Sequence, residues 1–304
     1  MKELKYIFTE VEECNLCQNK TVDNKILGQR LNKSQGFNPK MKTGISVSVI
    51  ECSKCSLIYS TPQPIPVDIQ DHYGVPPENY WKDEYFVNDP NYFSFQINEA
   101  KKFISFEKGM TALDVGAGLG KSMISLENAG FDVYGIEPSE TFRNKAIEKM
   151  NIVSDRLKLG MLEEVDYDAN SFDFITFGAV LEHLYDPAQS IEQVMKWLKP
   201  NGIIQIEVPS SKWLIPKIFN KYFKLRRTNY VTNLSPMHEP FHMYEFDMES
   251  FRQLAIRLDF EIVEHRYEVC SIYHIPKFLH PALRWYMNKT DKGMQLTVYL
   301  RKRK

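Results

Sequence analysis

Three groups of residues in this chain carry chemistry by their types and spacing. The first is Asp114, followed by Gly116-x-Gly118-x-Gly120 and then Lys121-Ser122. Glycines between a strand and a helix let the backbone approach a ligand closely and expose a helix N-terminus. The second is a set of histidines. His183 lies in Leu181-Glu-His, and His238 and His242 flank Glu239 in Pro236-Met-His-Glu-Pro-Phe-His-Met-Tyr244. Histidine titrates near neutrality and suits general-base work, here by His242 or His183 with Glu239 as orienter. The third is Cys14-x-x-Cys17 with Cys52-x-x-Cys55, two knuckles that match tetrahedral thiolate binding of zinc.

The glycine loop has three readings. A phosphate-binding P-loop needs its first glycine at residue 115, which is Val. A dinucleotide fingerprint needs a third glycine at 121, which is Lys. The observed spacing, with an acid just ahead of it, repels phosphates and suits a cationic ligand bearing an amino group and a sulfonium. Glu137, 19 residues after Gly118, stands where an acceptor for ribose hydroxyls belongs.

The whole chain narrows the classes. Its 304 residues are 43% apolar and 25% charged, the mix of a folded globular protein. With 38 basic and 39 acidic residues, the net charge of −1 supplies no global field for nucleic acid or anionic membrane. The sequence has no run of about 18 apolar residues, so no transmembrane helix is expected. The first residues lack an apolar signal core, and a cytoplasmic location is expected. In a reducing compartment the paired cysteines read as a structural zinc site rather than disulfides, with reduced packed thiols as the alternative. Cys270 reads as a small buried hydrophobe.

The elements that must position these groups divide into three regions. Residues 1–60 form a zinc-ribbon-like module. Residues 61–100, rich in Pro, Tyr, Phe and Trp, form a connecting or lid segment whose aromatics must pack on something. Residues 101–304 alternate strands and helices, which implies an α/β fold with a parallel sheet. Strands are expected at Ala112–Val115, Asp132–Ile136, Leu157–Leu159, Phe172–Phe177 and Ile203–Val208, with a turn at Pro200-Asn-Gly202. Two irregular segments, 210–245 and 269–294, follow the fifth and sixth strands. Open sheets of this kind bind ligands beyond the carboxyl ends of their strands, so 210–245 reads as a substrate cap.

At these motifs the chain resembles a known family. Leu113-Asp-Val-Gly-Ala-Gly-Leu-Gly120 followed by Tyr134-Gly-Ile-Glu-Pro-Ser139 resembles the first two motifs of class I S-adenosylmethionine-dependent methyltransferases. Ser171-Phe-Asp-Phe-Ile-Thr-Phe-Gly178 through Asp186-Pro187, and Leu198-Lys-Pro-Asn-Gly-Ile203, are similar to that family's fourth strand and its turn into the fifth. The resemblance spans about 100–268 and implies a Rossmann-like seven-stranded sheet whose last strand is antiparallel. It implies that Asp114 and the backbone of Gly116, Gly118 and Gly120 hold the methionine part, and that Glu137 takes the ribose. It places Met161 and Leu162 at the adenine, and the carbonyls of Phe177 and Gly178 at the amino group. Plain core packing is the alternative for Met161, Leu162 and Phe177. Of the histidines, His242 corresponds best to the family's His-containing segment.

The N-terminal layout, two cysteine pairs and then a Tyr-rich stretch with Tyr73, Tyr80 and Tyr85, resembles deoxysugar C-methyltransferases and their relatives in polysaccharide biosynthesis. That resemblance implies a small sugar or nucleotide-sugar acceptor, methylated at a hydroxyl or a carbon. Those enzymes carry a further large C-terminal domain beyond this chain's length, so simple O-methylation is an equal expectation. Two rivals stand beside it. One is an RNA methyltransferase, supported by the basic run Lys212 to Arg227 and the Arg301–Lys304 end. The other is a binding protein with a vestigial core.

Overall fold

The structure is a computed structural model that describes residues 6–31, 45–70, 81–234 and 241–303. Its centre is a seven-stranded sheet. β6 (Thr111–Val115), β7 (Asp132–Glu137), β8 (Leu157–Leu159), β9 (Phe172–Gly178) and β10 (Leu198–Pro209) are parallel. β12 (Phe260–Glu268) and β13 (Gln295–Lys302) complete it, and β13 runs antiparallel to both of its neighbours. The spatial order is β12-β13-β10-β9-β6-β7-β8. Chain order changes direction at β6, so β7 and β9 flank it and their carboxyl ends open on a shared crevice.

Both faces of the sheet are apolar, as a covered parallel sheet requires. Successive residues alternate between two cores. Ala112, Phe174 and Ile203 join a cluster with Ile97, Met123, Leu126 and Ala146. Leu113, Ile175 and Ile204 join another with Ile191, Val194 and Phe251. The flanking helices are α1 (Ser94–Ile104), α2 (Lys121–Asn128), α3 (Glu140–Met150), α4 (Pro187–Trp197) and α6 (Met248–Leu258). Local sequence fixes their starts. The Ser139 hydroxyl accepts Phe142 N–H, and Asp186 accepts Gln189 N–H just ahead of Pro187.

Two expectations change in detail. The residues read as a turn, Pro200-Asn-Gly202, are carried inside β10, where the pairing with β9 shifts between Leu198 and Ile203. Cys270 is exposed rather than buried, with its Sγ donating to Gln295 Oε1 at 3.2 Å. It lies two residues past β12, where the chain leaves the sheet.

Both segments read as irregular contain a helix, α5 (Leu214–Leu225) in the first and α7 (His280–Lys289) in the second. Each buries one stripe of a chain segment that lacks a strand period, which hides it from a βα reading.

The N-terminal residues build a second sheet. β2 (Lys25–Leu31), β3 (Ser46–Glu51), β4 (Ile58–Thr61) and β11 (Tyr244–Glu245) lie in the order β11-β4-β3-β2. β1 (Tyr6–Thr9) pairs with β5 (Gln63–Pro66) beside it. The strand β11 comes from the end of the first insertion, so residues far apart in sequence close this sheet. Asn15 adds a clasp: its amide donates to Asp186 at 2.8 Å and accepts Ala188 N–H at 2.9 Å. Arg257 donates to Asn15 O at 2.7 Å.

Candidate active site

The glycine loop joins β6 to α2. Gly116, Gly118 and Gly120 have φ of 71°, 57° and 76°, the left-handed region that favours glycine. Their roles differ. A Cβ on Gly120 would meet Ile152 Cγ1 at 2.6 Å, so this glycine lets the helix start pack inward. A Cβ on Gly118 would meet nothing within 4 Å, so its open side faces the crevice.

Two buried carboxyls lie at this loop. Glu137 Oε2 accepts Gly118 N–H at 2.7 Å, and its Oε1 accepts Ser139 N–H at 2.8 Å. Burial outweighs those two bonds and pushes Glu137 up to about 7. Asp114 is pushed up to about 8 by burial, with the neighbouring Glu137 charge adding to it. Its Oδ2 has no hydrogen-bond partner among the described residues. A buried orphan oxygen is costly. A cationic group with donor hydrogens satisfies it and restores the ionised form, which is the chemistry of an amino acid beside a sulfonium.

Three cavities run along the strand ends. The first, about 240 Å³, is lined by Glu137, Met161, Leu162, Phe142 and Tyr185 among others. The second, about 380 Å³, is lined by Asp114, Gly118, Tyr92, Ser122 and Glu207. The third, about 340 Å³, is lined by Glu182, Glu207, His242, Glu245, Trp213 and Tyr273. Ala179, just past β9 at φ 57°, lies on the wall of all three. Gly116 and Gly118 are shared by the first two, and Glu207 by the last two.

Two histidines meet between the first and third spaces, His183 on the wall of the first and His242 on the wall of the third. The His183 and His242 rings meet edge-on at 4.7 Å between centroids. His183 Nδ1 donates to Phe241 O at 2.9 Å, which leaves Nε2 as the acceptor of the neutral ring. Glu182 adds a carboxylate, and one ligand-type atom from each of the three lies within 4.8 Å of the others. Burial, then the Glu207 charge, pushes Glu182 up to about 8. Glu245 is held by Asn233 at 2.6 Å and by Leu234 N–H, and burial pushes it up to about 7.

Met161, Leu162 and Gly178 therefore lie on cavity walls, whereas the Phe177 side chain is fully buried in the core and only its backbone reaches the strand end. Glu239, His238, Tyr73 and Tyr80 lie outside the described residues. Tyr85 lines none of the three cavities, while Tyr92 lines the second. Sequence reading missed Tyr92, Phe142, Ile69, Glu182, Glu207 and Glu245. Ile69 reaches the first cavity because Gln70 is pinned there, donating to Pro138 O and accepting Glu140 N–H. Trp81 packs edge-on against Phe142 at 5.1 Å, so the aromatic segment covers this wall.

The four paired cysteines are buried together. Cys14 and Cys55 Sγ are 3.5 Å apart, and Cys17 and Cys52 Sγ are 3.4 Å apart. These exceed a disulfide's roughly 2.05 Å and approach the sulfur–sulfur edge of about 3.8 Å that a zinc–sulfur bond of about 2.3 Å gives a tetrahedron. The donor set fits zinc.

Strand order, the antiparallel β13, the glycine loop and its two carboxyls define a Rossmann-like class I methyltransferase fold. The sequence family described as a methyltransferase domain matches residues 92–265, more than half of the chain, and the chain belongs to it. Similar proteins include phosphoethanolamine N-methyltransferase 2 of Caenorhabditis elegans, 28% identical over 38% of this chain and 28% of the relative. The ubiquinone biosynthesis O-methyltransferase of Rhodopseudomonas palustris (strain TIE-1) is 29% identical over 42% and 50%. The demethylmenaquinone methyltransferase of Staphylococcus aureus (strain MRSA252) is 31% identical over 40% and 54%. The similarity thus spans about half or less of these relatives' length. Among solved structures, a methyltransferase from Archaeoglobus fulgidus covers 74% of this chain and all of its own, at 13% identity and a TM-score of 0.48.

Proposed function

We propose that this chain transfers a methyl group from S-adenosylmethionine to a small polar acceptor held in the third cavity, and that the acceptor is a sugar or nucleotide sugar. The observation that carries methyl transfer is the buried, unpartnered Asp114 Oδ2 beside the Gly118 edge, next to Glu137. When bound there, the donor supplies an already activated methyl group. Asp114 and the backbone at Gly116, Gly118 and Gly178 hold the amino-acid end, Glu137 takes the ribose hydroxyls, and Met161, Leu162 and Phe142 enclose the base.

The protein's own work is orientation, water exclusion and proton removal. His183 is fixed as the Nδ1–H tautomer by Phe241 O, so Nε2 faces the task of a base. His242 shares that corner, and a Glu182 carboxyl oxygen stands within 4.8 Å of a ring nitrogen of each. The sugar reading rests on a lining that mixes carboxyls with Trp213 and Tyr273, a chemistry suited to hydroxyls on one edge of a ring and its apolar face on another. The named relatives act on quinones and phosphoethanolamine, so those acceptors are the comparators. The four-cysteine cluster is proposed to hold a structural Zn²⁺, with all four positions filled by protein. The deciding assay is donor-dependent methylation of nucleotide sugars, a quinol, phosphoethanolamine and RNA. Product from the quinol or RNA alone overturns the sugar reading. Absence of S-adenosylhomocysteine binding overturns methyl transfer itself.

A further inference from the structure

The two insertions pack against each other. Ile215 of α5, Met287 of α7 and the intervening Val269 and Ile272 share one small core, joined by Phe219 and Leu283. This core is separate from the two that flank the sheet. It leaves outward a set of large apolar residues: Leu225 is 83% exposed, Phe278 80%, Trp285 67% and Tyr222 50%. On α5 the exposed Ile218, Tyr222 and Leu225 recur at one helical face. On the second insertion Phe278, in the turn just ahead of α7, and Trp285, in α7, are the most exposed large apolar residues.

Charge on the same two segments is mostly positive, with acids only at Glu239 and Glu245 near the end of the first and at Asp291 in the second. Residues 209–238 contain six Lys or Arg and no acid, and residues 269–290 contain Lys277, Arg284 and Lys289 and no acid. The whole chain carries −1, so this positive charge is concentrated here rather than spread. Lys212 is engaged, pairing with Asp247 at 3.2 Å. Lys221, Lys224, Lys277 and Lys289 have no ion-pair partner among the described residues.

We propose that this two-helix surface docks on a lipid bilayer bearing anionic headgroups. Exposed Trp, Phe and Leu among Lys are the composition of an interfacial surface, with the apolar groups entering the headgroup boundary and the ammonium groups pairing with phosphates. A base-reading surface needs Lys and Arg but gains nothing from Leu225 and Ile218 in water, which sets the bilayer ahead of RNA. The surface adjoins the third cavity, because Trp213 and Tyr273, from the two insertions, line it. On the methyl-transfer reading, on which this clause alone rests, the acceptor space lies beside the docked surface.

The test is cosedimentation of the full chain with vesicles of phosphatidylcholine plus phosphatidylglycerol, against vesicles of phosphatidylcholine alone. Binding to the anionic vesicles only, abolished by high salt and accompanied by a blue shift of Trp fluorescence, is expected. Lys221→Glu with Lys224→Glu, and separately Phe278→Ser with Trp285→Ser, each lower partitioning by about tenfold or more. All four residues are exposed, so unchanged thermal melts verify the fold. Protein that stays in the supernatant with anionic vesicles overturns the proposal, as does partitioning that both double variants retain. Binding of a single-stranded RNA that Lys221→Glu with Lys224→Glu abolishes, without vesicle binding, also overturns it in favour of RNA. S-adenosylhomocysteine binding is measured in parallel. Its absence with vesicle binding intact removes the methyl-transfer reading and leaves the docking surface standing.

Discussion

Glu137 accepts the backbone N–H of Gly118 at 2.7 Å, so the acid ending β7 holds the loop that ends the neighbouring β6. The same carboxylate is the proposed ribose acceptor, which makes loop geometry and ligand recognition one arrangement. Asp114, one residue before the end of β6, adds the second carboxyl and leaves one oxygen open.

Asp114→Asn and Glu137→Gln therefore weaken donor binding. Each removes a charge-assisted hydrogen bond and turns an amide N–H toward groups that donate, a loss of about 1.5–3 kcal/mol, or roughly ten- to a hundredfold in Kd. Calorimetric titration with S-adenosylhomocysteine and S-adenosylmethionine measures it, and wild-type affinity in both variants contradicts the assignment.

The neighbouring glycines separate packing from binding. Gly120→Ala drives a Cβ into Ile152 and destabilises the fold by about 1–3 kcal/mol. Gly118→Ala meets no protein atom, costs only the left-handed backbone preference of about 1 kcal/mol, and fills ligand space instead. Denaturant melts and donor titrations of the two variants must show opposite orders of damage.

The buried carboxyls set the pH dependence. Asp114 and Glu182 are pushed up to about 8, and Glu137 and Glu245 to about 7. The folded chain then holds more protons than the unfolded chain above about pH 4. Stability from these groups is full below about that value and declines as pH rises to about 8. A bound cation favours the ionised Asp114, so S-adenosylmethionine affinity rises between about pH 7 and 8 with proton release. Titrations in buffers of different ionisation enthalpy read that release, and S-adenosylhomocysteine, without the positive sulfur, shows less of it.

His242→Ala and His183→Ala lower kcat by about a hundredfold or more if either ring removes the acceptor proton, the usual worth of general-base catalysis. His242→Ala leaves S-adenosylhomocysteine affinity unchanged, because His242 lines the acceptor space, whereas His183→Ala lowers it modestly, because His183 lines the cavity of Glu137, Met161 and Leu162. A kcat unchanged in both variants leaves the base elsewhere.

Metal removal acts on the whole chain. One zinc per chain is expected, and Cys14→Ser or chelation lowers the thermal midpoint, since Ser250 bonds Cys55 O at 2.9 Å and Arg257 bonds Asn15 O. A metal-free protein with the same midpoint removes the structural role.

The glycine loop, Glu137, the strand–helix alternation and the cysteine pairs were legible in the sequence because each is local. A turn, a cap or a knuckle needs neighbours within a few residues: in the structure Ser139 and Asp186 each accept an N–H three residues on. The helices α5 and α7 were not legible as part of the alternation, because their apolar stripes build a small core with Val269 and Ile272 that is separate from the two flanking the sheet. Glu182 gave no signal, since a carboxyl beside a histidine is ordinary on a surface. Only the fold buries it next to His242, 60 residues on, and closes the N-terminal sheet with Tyr244–Glu245. Sequence determined which residues could bind and react, because backbone turns and donor types are short-range properties. Tertiary structure decided which of them share a cavity and which carboxyls lose their water, because burial belongs to the packed whole.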